Sequence, residues 1–134
     1  MDEIVFLTLE QIIVIHDDQI ERYGGRHGIR DFALLESAQL RPQSTFNSRD
    51  LYSTIFTKAA ALIHSLVLNH PFIDGNKRTG LASGIIFLLL NNYELTASNK
   101  TLENIVMKIE SRKLTIGQIS SWLKLHSRPL PILG

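Results

Sequence analysis

The chain has 134 residues, enough for one domain with a buried core. Hydrophobic residues make up 44%, charged residues 20%, and the net charge is +1. That balance argues against a broad nucleic-acid or membrane surface. The absence of cysteine excludes disulfides, thiolate zinc sites and a thiol nucleophile.

Ile4 to Leu7 is a short apolar lead-in. Thr8-Leu9-Glu10-Gln11 reads as a capping box that opens a helix over Leu9–Tyr23, with Ile12, Ile13, His16 and Ile20 on or near one face. Gly24-Gly25 ends it. Gly24 to Arg30 holds three glycines and two arginines, a solvated connector or a substrate-facing flap. A short helix then runs from about Asp31 to Leu40 and stops at Arg41-Pro42. After an irregular stretch from Gln43 to Arg49, a 3.6-residue apolar period through Leu51, Ile55, Ala59, Leu62, Ile63, Leu66 and Val67 predicts a helix over 50–69.

The next eleven residues, His70 to Gly80, read HPFIDGNKRTG and carry the chemistry of the chain. A loop this polar between two apolar helices costs folding free energy unless it is exposed or binds something. His70 is of the residue type most often used to take a proton from a hydroxyl. Pro71 forbids continuation of the preceding helix. Asp74 is a hard oxygen ligand that, together with phosphate oxygens, suits Mg²⁺. Gly75 opens backbone conformations closed to other residues. Asn76 is placed to cap a helix starting near Lys77, whose free N–H groups join Lys77 and Arg78 in an anion site. Two cations where the helix dipole is already positive imply a compensating anion. Phe72 reads as a buried plug that fixes the loop. A general base, a metal carboxylate and an anion cradle describe phosphoryl or nucleotidyl transfer.

Gly80 to Leu90 is apolar nearly all round, the pattern of a central helix, and Gly80 and Gly84 invite a close neighbour. Asn91-Asn92 closes it. Thr101 to Arg112 is amphipathic, with Leu102, Ile105, Val106 and Ile109 inward. Thr115-Ile116-Gly117-Gln118 is a second capping box, for a helix through Leu125 anchored by Trp122. Arg128-Pro129-Leu130-Pro131 reads as a tail. His16, His64 and His126 lie in helical patterns with no motif around them and read as structural or surface histidines. The expectation is an all-α, single-domain helical bundle over residues 1–134. The N-terminus lacks a basic region followed by an apolar core and cleavage site, and the longest apolar run, Ile85 to Leu90, is too short to span a bilayer, so export is not expected and a cytoplasmic protein is.

His70, Phe72, Asp74, Gly75, Asn76 and Arg78 match in order the H-x-F-x-(D/E)-G-N-x-R signature of the Fic/Doc family, which the chain closely resembles. It departs twice. Lys77 stands where most Fic enzymes have glycine, and Leu81 where they carry a second arginine. Both departures resemble the Doc (death-on-curing) branch, which reads N-K-R-T. Tyr23-Gly24-Gly25, Gly28-Ile29-Arg30-Asp31, Leu35-Glu36-Ser37-Ala38, Arg41-Pro42-Gln43, Lys58-Ala59-Ala60 and Asn69-His70-Pro71-Phe72 follow that branch too. The resemblance spans about residues 8–95.

The resemblance implies a compact bundle of about six helices of the Fic/Doc type, with residues 24–30 as a flap over the active site. It implies a toxin of a toxin–antitoxin pair, a protein kinase that phosphorylates a threonine of elongation factor Tu with Mg²⁺ and ATP and arrests translation. His70 would be the catalytic base and Asp74 the metal ligand, with Gly75, Asn76, Lys77 and Arg78 on the nucleotide phosphates. Lys77 in place of glycine and the missing arginine at Leu81 favour presenting the γ rather than the α phosphate. Fic-like AMP transfer and a catalytically silent binding module are the alternatives. No inhibitory (S/T)-x-x-x-E-(G/N) sequence occurs, and Asn99 to Asn104 comes nearest but starts with asparagine. Control is therefore expected from a small antitoxin that covers the site.

Overall fold

Six α-helices and two two-stranded ribbons make up the computed structural model, which describes residues 3–131. The helices are α1 (Leu9–Tyr23), α2 (Phe32–Leu40), α3 (Ile55–Asn69), α4 (Asn76–Leu90), α5 (Asn99–Glu110) and α6 (Ile116–Leu125). The all-α expectation holds, and among the described residues no helix is long and apolar enough to cross a membrane.

Helices α3 and α4 form the centre and run antiparallel. A Cβ on Gly80 would come within 2.8 Å of Val67, and one on Gly84 within 2.3 Å of Ile63, so the two glycines let the backbones meet. Along α4 the buried positions are Asn76, Thr79, Gly80, Ser83, Gly84, Phe87 and Leu88, one continuous stripe. Helices α1, α2, α5 and α6 pack around this pair and close one core over Ile12, Leu35, Leu66, Phe87, Ile109 and Leu123.

The two capping boxes read from the sequence are present. Thr8 accepts from the Gln11 N–H and Thr115 from the Gln118 N–H, and each glutamine reaches back to its cap. Helix α3 starts five residues later than its apolar period predicts. Thr54 caps it, with Thr57 as the reciprocal partner. Upstream, β1 (Thr45–Phe46) pairs with β2 (Arg49–Asp50), and Leu51 is exposed. Lys58 closes this junction: its ammonium is fully buried and bonds Asp50 at 3.0 Å and the Tyr52 carbonyl.

The C-terminal stretch read as a tail is also structured. Strand β4 (Ser127–Pro129) pairs antiparallel with β3 (Tyr93–Leu95). Trp122 is only half-buried and stacks on His126, while Ile119 and Leu123 carry the core face of α6. Helix α5 begins at Asn99, capped by Ser98.

Candidate active site

Helix α3 ends at His70, whose backbone is left-handed (φ 49°, ψ 55°). Pro71 follows and has no N–H to turn back onto the last carbonyls of the helix. Arg30 supplies the donors instead. Its Nε donates to the His70 carbonyl at 2.6 Å and its Nη2 to the Asn69 carbonyl at 2.8 Å. The N–H groups of Arg30 and Asp31 both donate to the Pro71 carbonyl, and Ile73 N–H donates to the Gly28 carbonyl. Residues 24–30 therefore run along the 70–74 loop, with an isolated antiparallel bridge between Ile29 and Phe72. His70 itself is exposed.

The floor of the loop is apolar and locked. Phe72 is 1% exposed and stacks flat on buried His16, ring centroids 3.8 Å apart. His16 Nε2 lies 2.8 Å from the Asp74 carbonyl, which can only accept, so Nε2 carries the proton. The Asn76 side chain takes the Phe72 N–H on its oxygen and gives its own N–H to the Phe72 carbonyl, both at 2.9 Å. This corrects the capping role predicted for Asn76. The residue at the helix cap is Gly75, with φ 75° and no side chain to offer, and α4 begins at Asn76 rather than Lys77. With its amide committed to the loop, what Asn76 presents to an anion is its backbone N–H in the first turn.

Asp74 is exposed and held from two sides. Its Oδ1 accepts the Gly75 N–H at 2.9 Å and its Oδ2 the Arg26 N–H at 3.1 Å. Those two bonds, with the nearby Arg78 and Arg26 charges, hold its carboxyl below the usual range. A Cβ at Gly25 would sit 2.8 Å from Oδ2, so this approach of the 24–30 segment requires glycine. Each Asp74 oxygen keeps a free lone pair for a cation. No cluster of three His, Asp or Glu side chains stands ready to hold a metal among the described residues. One ionised carboxylate fits a magnesium ion that arrives with phosphate oxygens, and does not make a protein-built cage.

The two cations of the first turn of α4 point to different neighbours. Arg78 donates to the Gly24 carbonyl at 2.9 Å and lies 5.7 Å above the Tyr23 ring. Lys77 turns towards Glu110 of α5, at 3.4 Å. No acidic side chain lies in this first turn. Both cations also line an open groove of about 590 Å³ between α1, α4 and α5, together with Tyr23, Leu81, Leu102 and Val106. His70 and Asp74 are outside its lining.

Sequence reasoning did not find Arg30 or the N–H of Arg26 as partners of the loop, because both act across some 40 to 48 positions of chain. His27 also gains a definite role. Its Nδ1 lies 3.1 Å from Asp17 and its Nε2 2.8 Å from Glu21, a pairing in which both nitrogens donate only as imidazolium. Hydrogen bonds to Asp17 and then Glu21 raise its pKa above the ordinary value. A raised pKa means that the clamp is complete below the ordinary histidine value and is lost as pH rises through the raised one. Amide exchange at Arg26 and Ile73, corrected for the intrinsic rate, should accelerate as pH climbs from about 6 to about 9, and His27→Gln should flatten that dependence. Equal pH profiles for the two proteins would dismiss the clamp.

A family model described as the Fic/DOC family matches residues 6–88, from the lead-in to α1 through most of α4. The chain is 37% identical over 103 residues to a Mycolicibacterium smegmatis protein named Toxin Doc, covering 75% of this chain and 79% of that protein. It is 27% identical over 118 residues to an Escherichia phage P1 protein named Protein kinase doc, covering 88% and 92% respectively.

Proposed function

Because the chain belongs to the Fic/DOC family, on its Doc branch, we propose that it is a Doc-like toxin, a kinase that moves the γ-phosphate of ATP onto a threonine or serine hydroxyl of a translation factor. The acceptor is elongation factor Tu by resemblance, and translation stops as a result. The observation that carries the reading is the exposed His70 at the end of an anchored loop, followed within eight residues by an ionised carboxylate and a helix start bearing two cations.

His70 accepts the proton of the acceptor hydroxyl as that oxygen attacks the γ-phosphorus. The new O–P bond forms as the bond from phosphorus to the β-bridging oxygen breaks, and ADP leaves. Arg78 exchanges the Gly24 carbonyl for a phosphate oxygen, and Lys77 releases Glu110 to do the same. Both existing partnerships are solvent-exposed and cheap to break. The N–H groups at the start of α4, from Asn76 onward, orient the phosphates; the Gly75 N–H expected to join them is instead held by Asp74 Oδ1. Asp74 would hold magnesium, which when bound with ATP neutralises phosphate charge.

Lys77 faces α5 and not the loop, so the preference for γ over α transfer draws on Leu81, which offers no second guanidinium, and on the relative named as a kinase. The groove fits the small antitoxin expected from the sequence. An amphipathic helix would set its apolar face on Leu81, Ile85, Leu102 and Val106 and a carboxylate against Lys77 and Arg78.

The test offers purified elongation factor Tu and ATP labelled at the γ or the α position, with His70→Asn as control. Transfer of the γ label alone, dependent on His70, is the expected result. Transfer of the α label alone would make the protein an AMP-transferase. No transfer of either, to this acceptor or in a whole lysate, would leave a binding module.

A further inference from the structure

We infer that Arg30 is a positioning residue that sets the direction of the His70 side chain by gripping three consecutive carbonyls at the end of α3. Nη2 takes Asn69, Nε takes His70, and the backbone N–H of the same residue takes Pro71 at 2.7 Å. No other side chain among the described residues donates to the Asn69 or His70 carbonyl. The inference rests on reading His70 as the general base.

The local chemistry explains why such a grip is needed. A histidine at φ 49° occupies a backbone region that residues with a Cβ adopt only when their surroundings over-determine it. The usual closure of a helix end uses the N–H groups of the next two residues, and the second of these is proline here. Without outside donors the peptide planes of 69 and 70 are free to rotate, and the Cα–Cβ bond of His70 rotates with them. A planar guanidinium fork holds two carbonyls in one fixed relation, which a lysine ammonium does not. The same segment carries the Arg26 N–H that holds Asp74, so one stretch of chain registers the base and the carboxylate to each other.

Arg30→Ala, Arg30→Lys and the parent are compared in steady-state transfer, thermal unfolding and the ¹³Cα chemical shift of His70. For Arg30→Ala, kcat is expected to fall about 10- to 100-fold while KM for ATP stays within about twofold, because misplacing the base leaves the phosphate contacts intact. Added ethylguanidinium restores part of kcat, and Arg30→Lys recovers less than about a third of it. The His70 ¹³Cα shift leaves its left-handed value. A kcat within twofold of the parent, a loss that only tracks the folded fraction and resists ethylguanidinium, or an unchanged His70 shift would overturn the inference. If His70→Asn transferred as fast as the parent, the reading of His70 as base would fall. The grip of Arg30 on the backbone would still be decided by the chemical shift, which needs no turnover.

Discussion

A His70→Asn protein is expected to melt within a few degrees of the parent and to transfer phosphate about 10²- to 10⁴-fold more slowly. The two halves of this expectation come from different features of one residue. The backbone of His70 is left-handed and asparagine tolerates that region, so the helix end survives. The His70 ring has no hydrogen-bond partner among the described residues and is exposed, so little packing is lost with it. What disappears is the imidazole that takes the proton of the attacking hydroxyl, and positioned general-base catalysis is commonly worth that range of rate. Melting followed by circular dichroism and single-turnover transfer of γ label check the two halves separately. A variant that keeps a tenth of the parent rate would remove His70 from the role of base, whatever its stability.

The signature loop was legible because its residue types are chemically unusual between two apolar helices. The helices themselves were legible from their 3.6-residue period, and two of their starts from Thr8 and Thr115 with glutamine three residues on. The start of α3 was not. Its cap uses Thr57 where the recognisable box has Glu or Gln, and Leu51 happens to extend the apolar period into an exposed hairpin. Asn76 shows a subtler limit. Its type suits a cap, yet the left-handed Gly75 takes that place and frees the amide to tie both polar groups of Phe72. Side-chain preference identifies what a residue can bond, while the backbone one position earlier decides which partner lies within reach. Contacts over long stretches of sequence, such as Arg30 with Asn69 and His70 or β3 with β4, leave no periodic trace at all.

Phe72→Ala is expected to destabilise the protein by about 3–5 kcal/mol, lowering the melting midpoint by roughly 10–20 °C. The ring is fully buried, and its removal opens a cavity against the stacked face of His16, which the loop cannot collapse to fill because Asn76 holds the backbone of residue 72 on both sides. Phe72→Leu keeps most of the volume and should cost far less, about 1–2 kcal/mol. The functional consequence differs from that of a core residue elsewhere. The His16 ring that reaches the Asp74 carbonyl is stacked on Phe72, so the cavity is expected to loosen the carboxylate as well as the core. Transfer by Phe72→Ala at 20 °C, well below its midpoint, should therefore fall further than its folded fraction, with a raised requirement for magnesium. Leu88→Ala is also a deletion of a fully buried side chain in the central helix and serves as the reference, since it lies three turns beyond the site. If the two variants lost activity only in proportion to unfolding, Phe72 would be a core residue that happens to lie within the signature, and the apolar floor would not be what fixes the catalytic loop.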